Sequence, residues 1–322
     1  MKRTTLLLAG LLTMACSDAS HGRFPARAIE LIIAFPPGGV TDLAGRVFAE
    51  GLSSTLKVPV VPTNRGGSSG VLGGSIVLQA RKDGYTLLTN SLSGMVLGPA
   101  VMKQAPFSAE RDFVPIALIL TVPNSLIVRA DSPFKTVADL IDAAKKHPGK
   151  LSYASPGTTS DGHFNGEVFA RAANIKIKHV PFNGGSELAI AVMGGHVDFG
   201  IGAATSFVAL DRGGKLRTLA VTGRVRLNAL PHAPTFEESG ITGTFVDAWA
   251  GCFAPSGTPP PVLDTLVNAA AIVVQSSDFK SKIEKIGGIP RYLTPQEILA
   301  MIRTDTGTAV SIGTRMGLSL ER

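Results

Sequence analysis

The chain of 322 residues carries a net charge of +7, and 44% of its residues are hydrophobic while only 6% are aromatic. Its length suits two ordinary domains, and its 36 glycines and 21 prolines are spread along the chain, which is typical of a turn-rich α/β protein and not of a disordered or fibrous one. Basic residues form no dense run and do not alternate with aromatic ones, so nucleic acid is a poor candidate ligand, whereas the mild positive field favours small anions.

The N-terminus has the pattern of an export signal. Two basic residues precede the apolar run 6–15, which is too short to span a bilayer. Two interpretations remain open: a lipoprotein signal in which Cys16 becomes the lipidated first residue, which we slightly prefer, or cleavage after Ala19 at a small-x-small site. Residues 1–19 are therefore predicted to be a signal segment. Both interpretations place the mature protein in the periplasm.

Strand-like runs alternate with helical patterns through most of the chain. This alternation predicts an α/β fold with mostly parallel sheets and helices on both faces. The predicted strands are 29–34, 58–62, 85–89, 113–120, 125–129, 151–154, 176–180, 197–201, 216–222 and 245–254. The predicted helices are 43–56, 71–81, 137–147, 161–173, 186–194, 204–212 and a C-terminal helix from 295 to about 317.

Three local signals refine this prediction. Thr136 and Thr294 are each followed, three residues later, by an acid, which is the pattern of a helix-capping box. Pro295 suits the first helical turn after Thr294. The lone Cys252, in an apolar setting, is predicted to be a small core residue.

Composition shifts predict how the chain divides into lobes. Polar or proline-rich stretches near 121–125 and within 245–261 interrupt the β-rich runs. If both are crossings, residues 24–124 and 250–322 form one lobe and 125–249 the other. Two α/β lobes joined by two crossovers enclose a cleft, and such clefts bind ligands at the carboxyl ends of parallel strands.

The sequence AFPPGGVTD at 34–42 stands between a predicted strand and a predicted helix. Its glycines allow a close backbone approach to a ligand, and free amides at a helix start suit a carboxylate. Thr41 is predicted to cap the helix, and Asp42 to hold the loop through its amides. A plain strand–helix turn is an equally good interpretation of this pattern alone.

Two further loops have similar chemistry. The hydroxyl-rich segment 155–160 can hold a carboxylate without net charge, and either Thr159 or Ser160 is predicted to cap the next helix. His163 falls in the first turn of that helix and is a candidate donor, although such a histidine is more often a packed or solvated side chain. The Asn183 amide can read a carboxyl or hydroxyl group, but Asn-Gly is also an ordinary turn.

A serine-hydrolase pattern offers an alternative function. Gly66-x-Ser68-x-Gly70 matches the nucleophile elbow of α/β-hydrolases, with Ser68 as the nucleophile. The sequence has no His-Gly-Gly-Gly segment and its six histidines are scattered, so this alternative is weakly supported. No metal-binding pair, Walker motif or dinucleotide fingerprint occurs, and we predict no cofactor and no metal.

These segments together resemble the periplasmic substrate-binding proteins of tripartite tricarboxylate transporters, the Bug receptors. The resemblance implies a type II periplasmic-binding-protein fold, and a monomer that is not an enzyme and captures a small organic carboxylate for membrane permease subunits by lobe closure. A ligand-sensing receptor for a signalling partner is the alternative. The matching segments cover essentially the whole mature chain: 37–42, 64–65, 83–87, 148–153, 179–182, 194–198, 214–217 and 254–259.

The resemblance also implies a set of ligand-binding residues on both lobes. They are Phe35, Pro37, Gly38, Gly39, Thr41, Asp42, Ser93, Thr158, Thr159, Ser160, His163, Asn183, Gly184, Gly202 and Ala203. The chain departs from the family where relatives often carry Asp-Asn, here Gly202-Ala203, and where many carry Ser-Thr-His, here 93–95. The loss of an acid and a histidine favours a larger or less polar pocket, and we hypothesise that the far half of the ligand is apolar.

Overall fold

A computed structural model of the chain describes residues 24–102 and 104–315. The predicted signal segment, including Cys16, lies outside these residues. Within them, no helix has both the length and the apolar character that a membrane crossing requires.

The described residues contain ten strands, eleven α-helices and three short helical turns. The strands are β1 (Ile29–Ile33), β2 (Val60–Asn64), β3 (Thr86–Ser91), β4 (Phe113–Val122), β5 (Asn124–Arg129), β6 (Ser152–Ser155), β7 (Lys178–Pro181), β8 (Phe199–Ala203), β9 (Leu216–Val221) and β10 (Ala248–Pro255). The helices are α1 (Val40–Leu56), α2 (Val71–Leu78), α3 (Gly98–Val101), α4 (Ala109–Asp112), α5 (Val137–Lys146), α6 (Asp161–Ala172), α7 (Gly185–Met193), α8 (Val208–Arg212), α9 (Pro260–Gln275), α10 (Ser277–Lys285) and α11 (Pro295–Arg315). The short turns are 3₁₀-helical at Ser68–Gly70 and Ala204–Ser206 and π-helical at Ser93–Leu97.

The strands form two five-stranded sheets, each with one strand that runs against the other four. The first sheet has the order β2-β1-β3-β10-β4, and the second has the order β7-β6-β8-β5-β9. β10 is antiparallel to both of its neighbours, as is β5, while the remaining pairs are parallel. The prediction of mostly parallel sheets is therefore confirmed. We call the part of the chain that packs around the first sheet the first lobe. The part that packs around the second sheet is the second lobe.

The chain passes between the two sheets twice. β4 and β5 are separated by Pro123 alone, and the return runs from β9 through 222–247 into β10. In each sheet, the antiparallel strand is the one that the chain enters directly after a crossing. Both crossings lie side by side, because the backbone amide of Thr222 donates to the carbonyl oxygen of Asn124 at 2.9 Å.

The central strands of the sheets are buried on both faces. In β1, Ile29 and Leu31 pack into one hydrophobic core while Ile32 packs into another. Strands buried on both faces read as continuous apolar runs, which is why β1 and β5 were visible in the sequence. Cys252 is fully buried in the first core, as predicted.

The local signals at helix starts are confirmed, while some boundaries differ. Thr136 and Asp139 form the predicted capping box, and Thr294 and Glu297 exchange the corresponding hydrogen bonds. β2 begins two residues later than predicted, at Val60. The backbone amide of Val60 donates a hydrogen bond to Ser53 Oγ at 2.7 Å. The sequence predicts no bounds for α9 and α10, because these helices follow one another without a strand between them.

Candidate ligand-binding site

The first wall of the site is the loop between β1 and α1. Gly38 has φ +86°, a conformation that favours glycine, and α1 begins at Val40 with Gly39 as its N-cap. The prediction that Thr41 caps this helix is wrong, because the helix starts one residue before it. Gly39 offers no side-chain cap, so the first amides of α1 have no partner from a cap or from within the helix.

Asp42 fixes this loop from the first turn of α1. Its carboxylate accepts hydrogen bonds from the Gly38 amide at 2.9 Å, from Arg46 Nε at 2.8 Å and from Asn64 Nδ2 at 2.8 Å. The three donors share the two oxygens of this buried carboxylate, so both oxygens have partners within the first lobe. The predicted bracing role is confirmed, and contact between Asp42 and a ligand stays a prediction.

The loop between β7 and α7 in the second lobe is built in the same way. Gly184, at φ +132°, is the N-cap of α7 and provides no side-chain cap. Glu187, in the first turn, accepts hydrogen bonds from the amide of Asn183 at 3.1 Å and from its side-chain nitrogen at 3.2 Å. In both loops, an acid in the first helical turn accepts a hydrogen bond from the backbone amide four residues before it. Neither helix start has a side-chain cap.

The two helix starts face each other across the cleft. A β-carbon placed on Gly39 would lie 3.9 Å from the Gly185 backbone nitrogen. The lobes also bond directly, since Ser186 Oγ donates to the Pro37 carbonyl oxygen at 3.1 Å. Each helix N-terminus carries about half a positive charge, so their convergence creates a site for an anion.

A cavity of about 550 Å³, including its opening to solvent, lies between the lobes. Predicted residues along its wall are Phe35, Gly39, Thr41, Asn183, Gly184 and Ala203. A neighbouring cavity, which is more open to solvent, shares Phe35 and Asn183 and includes the predicted Thr158. The structure therefore brings predicted residues of both lobes to one cleft.

Several predicted residues lie behind this wall. Thr159 has φ +81° in the loop before α6, and Ser160 caps that helix by accepting from the His163 amide at 3.2 Å. Gly202 is packed against Phe207 and Pro156 in β8. The structure assigns these residues loop and packing contacts, and their contact with a ligand stays a prediction.

His163 forms a cluster with His179 in place of an open site. Their rings stack with centroids 3.9 Å apart, and His179 Nε2 lies 2.7 Å from Ser155 Oγ. Burial lowers the pKa of both histidines, and the neighbouring His163 ring further lowers that of His179, to about 3. Two neutral rings at neutral pH contribute no positive charge to the cleft.

Asp161 is a cavity residue that the sequence reasoning missed. It is the first residue of α6, its side chain is buried, and it lies on the wall of the 550 Å³ cavity. Its Oδ1 accepts from Ser93 Oγ at 2.7 Å, across the interface between the lobes. In the sequence, Asp161 could be recognised only as an acid in the first turn of a predicted helix. Its contact with Ser93 depends on the assembled fold.

The sequence matches the profile of the tripartite tricarboxylate transporter family receptors over residues 44–318. The chain belongs to this family. A Pseudomonas sp. (strain P51) relative, the UPF0065 protein in the tcbD-tcbE intergenic region, is 34% identical over 305 residues, which are 93% of this chain and 90% of the relative. Protein BugT of Bordetella pertussis is 30% identical over 287 residues, covering 89% of this chain and 88% of BugT.

Two solved structures resemble this family receptor along almost its whole length. R. palustris Rpa4515 with adipate has a TM-score of 0.88 at 29% identity and covers 92% of this chain and 99% of its own. MatC (Rpa3494) from Rhodopseudomonas palustris with bound malate has a TM-score of 0.84 at 26% identity, with coverage of 90% and 99%. These matches confirm the predicted two-lobe periplasmic-binding-protein fold.

The hydrolase alternative gains no support in this tripartite tricarboxylate transporter receptor. Ser68 follows β2 at φ +48°, so the strand–turn–helix context of an elbow is present. However, no histidine is hydrogen-bonded to Ser68 within the described part of the chain, and none lies along the neighbouring cavity wall there. A serine without a base partner lacks the activation that a nucleophile needs.

Proposed function

We propose that this receptor captures a small organic carboxylate in the periplasm and delivers it to the permease subunits of a tripartite tricarboxylate transporter. The observation that carries the proposal is the convergence of the N-termini of α1 and α7, whose N-caps are glycines without side chains. A carboxylate between them would accept hydrogen bonds from both lobes at once. Such a ligand favours the closed state because only that state supplies both sets of donors.

The similar proteins support this class of ligand. One solved structure contains adipate and another contains malate, and both are carboxylates. The family profile is that of a transporter receptor, which supports permease partners and a periplasmic location. We further propose that the receptor is a monomer, that its lobes divide as 24–124 with 250–322 and 125–249, and that Cys16 carries a lipid anchor. No catalytic step is part of this proposal.

A glycine-to-alanine substitution at the cleft tests the anion site. Gly39→Ala adds a methyl group with one neighbouring atom at 3.9 Å, so the fold can accept it, but the methyl lies between the two helix starts. We expect Gly39→Ala to weaken carboxylate binding about tenfold or more in calorimetric titration. The control is Gly307→Ala in α11, where an added β-carbon has no neighbour within 4 Å.

The titrations use mono- and dicarboxylates of two to eight carbons with the mature wild-type protein. Heat of binding for at least one of them, lost in Gly39→Ala and kept in Gly307→Ala, is the expected result. Wild-type protein that binds none of these acids would overturn carboxylate capture. Equal binding by both variants would mean that the ligand does not lie between α1 and α7.

A further inference from the structure

Asp161 has one carboxylate oxygen that the protein leaves without a partner. The side chain is 7% exposed, and it lies on the wall of the 550 Å³ cavity. Oδ1 accepts the hydrogen bond from Ser93, whereas Oδ2 is buried and has no hydrogen-bond partner among the described residues. An unpaired buried carboxylate oxygen is costly, so a donor group from a molecule in the cleft would stabilise it.

The hydrogen bonds around Ser93 show that Asp161 acts as an acceptor. The Asp161 backbone amide donates to Ser93 Oγ at 3.1 Å, so the single hydroxyl proton of Ser93 is directed at Oδ1, 2.7 Å away. Burial raises the pKa of Asp161, while Ser93, the Asn124 side chain and the backbone amides of Asp161 and Gly162 lower it, although none of these groups has the geometry of a hydrogen bond to Oδ2. The position of Asp161 at the N-terminus of α6 also favours its ionised form.

The charges around the cavity are complementary to a ligand with two unlike ends. Two charged side chains, those of Asp161 and Glu187, lie along the described cavity wall, and no lysine, arginine or histidine does. Glu187 is exposed and its Oε2 is bonded to Asn183, so Asp161 is the buried acid of this wall with an unpaired oxygen. The helix starts at Gly39 and Gly184 favour a negative group, whereas Asp161 repels one.

We propose that Asp161 determines specificity by accepting a hydrogen bond from an ammonium, amide or hydroxyl group on the ligand. The ligand is then a carboxylate with a donor group at its other end, and an ammonium group matches best because it also supplies a positive charge. This inference rests on the proposed function, since the carboxylate end is held by α1 and α7. It differs from the hypothesis of an apolar far half, which the same experiment tests.

The contact also links specificity to closure. Ser93 belongs to the first lobe and Asp161 to the second, and their two hydrogen bonds exist only when the lobes are together. A ligand donor on Oδ2 would complete this network in the closed state alone. We therefore expect the donor group to affect the affinity of the closed complex and not merely a surface encounter.

The experiment compares three series of acids of equal chain length: ω-amino acids, α,ω-dicarboxylates and unbranched monocarboxylates. Calorimetric titration of wild-type protein at pH 7 should give tighter binding, by about tenfold or more, for the ω-amino acid at the best length. Asp161→Asn, which keeps the shape but removes the charge, should lower the affinity ratio of ω-amino acid to dicarboxylate about tenfold or more.

Asp247→Asn is the matched control. Asp247 is close enough to Asp161 for the Asp161 charge to raise its pKa, but it bonds Thr222 and lies along a different cavity. An equal change of the ratio in Asp247→Asn would show a general charge effect and overturn the proposal. An unchanged ratio in Asp161→Asn would do the same.

The wild-type ranking tests the inference without any variant. A dicarboxylate or monocarboxylate that binds as tightly as the ω-amino acid of its length, across all lengths, would overturn the role of Asp161 and leave carboxylate capture intact. Absence of binding in all three series would instead overturn the proposed function. The two failures are therefore distinguishable in one set of titrations.

Discussion

At the residue scale, His163 and His179 stack with ring centroids 3.9 Å apart, and we expect this pair to make the protein sensitive to acid. Two protonated rings at this distance repel each other, so the folded state favours neutral rings. Burial and His163 lower the pKa of His179 to about 3, below the ordinary value of 6.5. The unfolded chain therefore binds more protons than the folded one between these two pH values.

Stability should fall as the pH is lowered through this window. A folded-state pKa below the unfolded value means that the free energy of unfolding is highest above pH 6.5 and decreases towards pH 3. Because the His179 ring is partly exposed, we expect a discounted loss of about 1 kcal/mol between pH 7 and pH 5. Urea unfolding at several pH values measures this loss.

His179→Gln should flatten this pH dependence, because glutamine does not titrate. His147→Gln at the exposed end of α5 serves as the control and should keep the wild-type slope. If wild-type stability is constant from pH 7 to pH 5, or if both variants have the same slope, the stacked pair does not control acid sensitivity.

At the scale of elements, three helices begin at the cleft but start in two different ways. α1 and α7 have glycine N-caps and their first amides have no side-chain cap, whereas α6 is capped by Ser160. Ser160 Oγ accepts from the His163 amide and donates to the Gly157 carbonyl oxygen at 2.7 Å. The cap of α6 therefore also fixes the loop that leads to Asp161.

Removal of this cap should reduce both stability and binding. Ser160→Ala loses the cap and leaves the His163 amide without its partner, while the Gly157 carbonyl oxygen keeps its hydrogen bond from Ser155 Oγ, so we expect a loss of about 1 kcal/mol in the free energy of unfolding. Ser276→Ala is the matched control, because Ser276 caps α10 with the same two kinds of hydrogen bond. Chemical unfolding measures both losses, and carboxylate titration should detect weaker binding in Ser160→Ala alone.

A similar affinity loss in Ser276→Ala would contradict a local role for the α6 cap. Unchanged binding in Ser160→Ala would show that the loop before α6 keeps its geometry without the cap.

At the scale of the whole molecule, the two lobes are in direct contact across the cleft. Ser186 of the second lobe donates to the Pro37 carbonyl oxygen of the first. Ser93 of the first lobe donates to the Asp161 carboxylate of the second. A β-carbon on Gly38 would lie only 2.8 Å from Ser186 Oγ. A side chain at position 38 would therefore displace the Ser186 hydroxyl from its bond with Pro37, besides straining the turn.

Gly38→Ala should therefore hinder closure. The added methyl strains the positive φ and meets Ser186, and we expect ligand affinity to fall about tenfold or more, measured by titration. Small-angle scattering should also show less compaction on ligand addition. Gly214→Ala is the control, because Gly214 has φ +63° but an added β-carbon has no neighbour within 4 Å.

The double substitution Gly38→Ala with Ser186→Ala removes the obstructing hydroxyl and should recover part of the lost affinity. If Gly214→Ala weakens binding equally, backbone strain and not lobe contact explains the effect. Full compaction of Gly38→Ala with ligand would also contradict the closure argument.

Local patterns made much of the fold predictable. The strands and helices follow from apolar periodicity, and the capping box at Thr136 and the bracing by Asp42 join residues three or four positions apart. The resemblance indicated that the loops before α1 and α7 hold the ligand from opposite lobes, but nothing in the sequence indicated that Glu187 repeats the role of Asp42 in the other lobe. The start of α1 was predicted too late, at 43 with Thr41 as the cap, because a glycine, Gly39, provides the cap and the helix begins at Val40.

The sequence by itself determined the α/β alternation, the glycine-rich loops ahead of helices and the resemblance to a carboxylate receptor. Tertiary structure alone decided which of these loops meet and which acid lies on the cavity wall. Ser93 and Asp161 are 68 residues apart, and Pro37 and Ser186 are 149 apart. Contacts over such separations depend on the packing of two lobes, whereas a local pattern specifies only the few residues within one turn of chain.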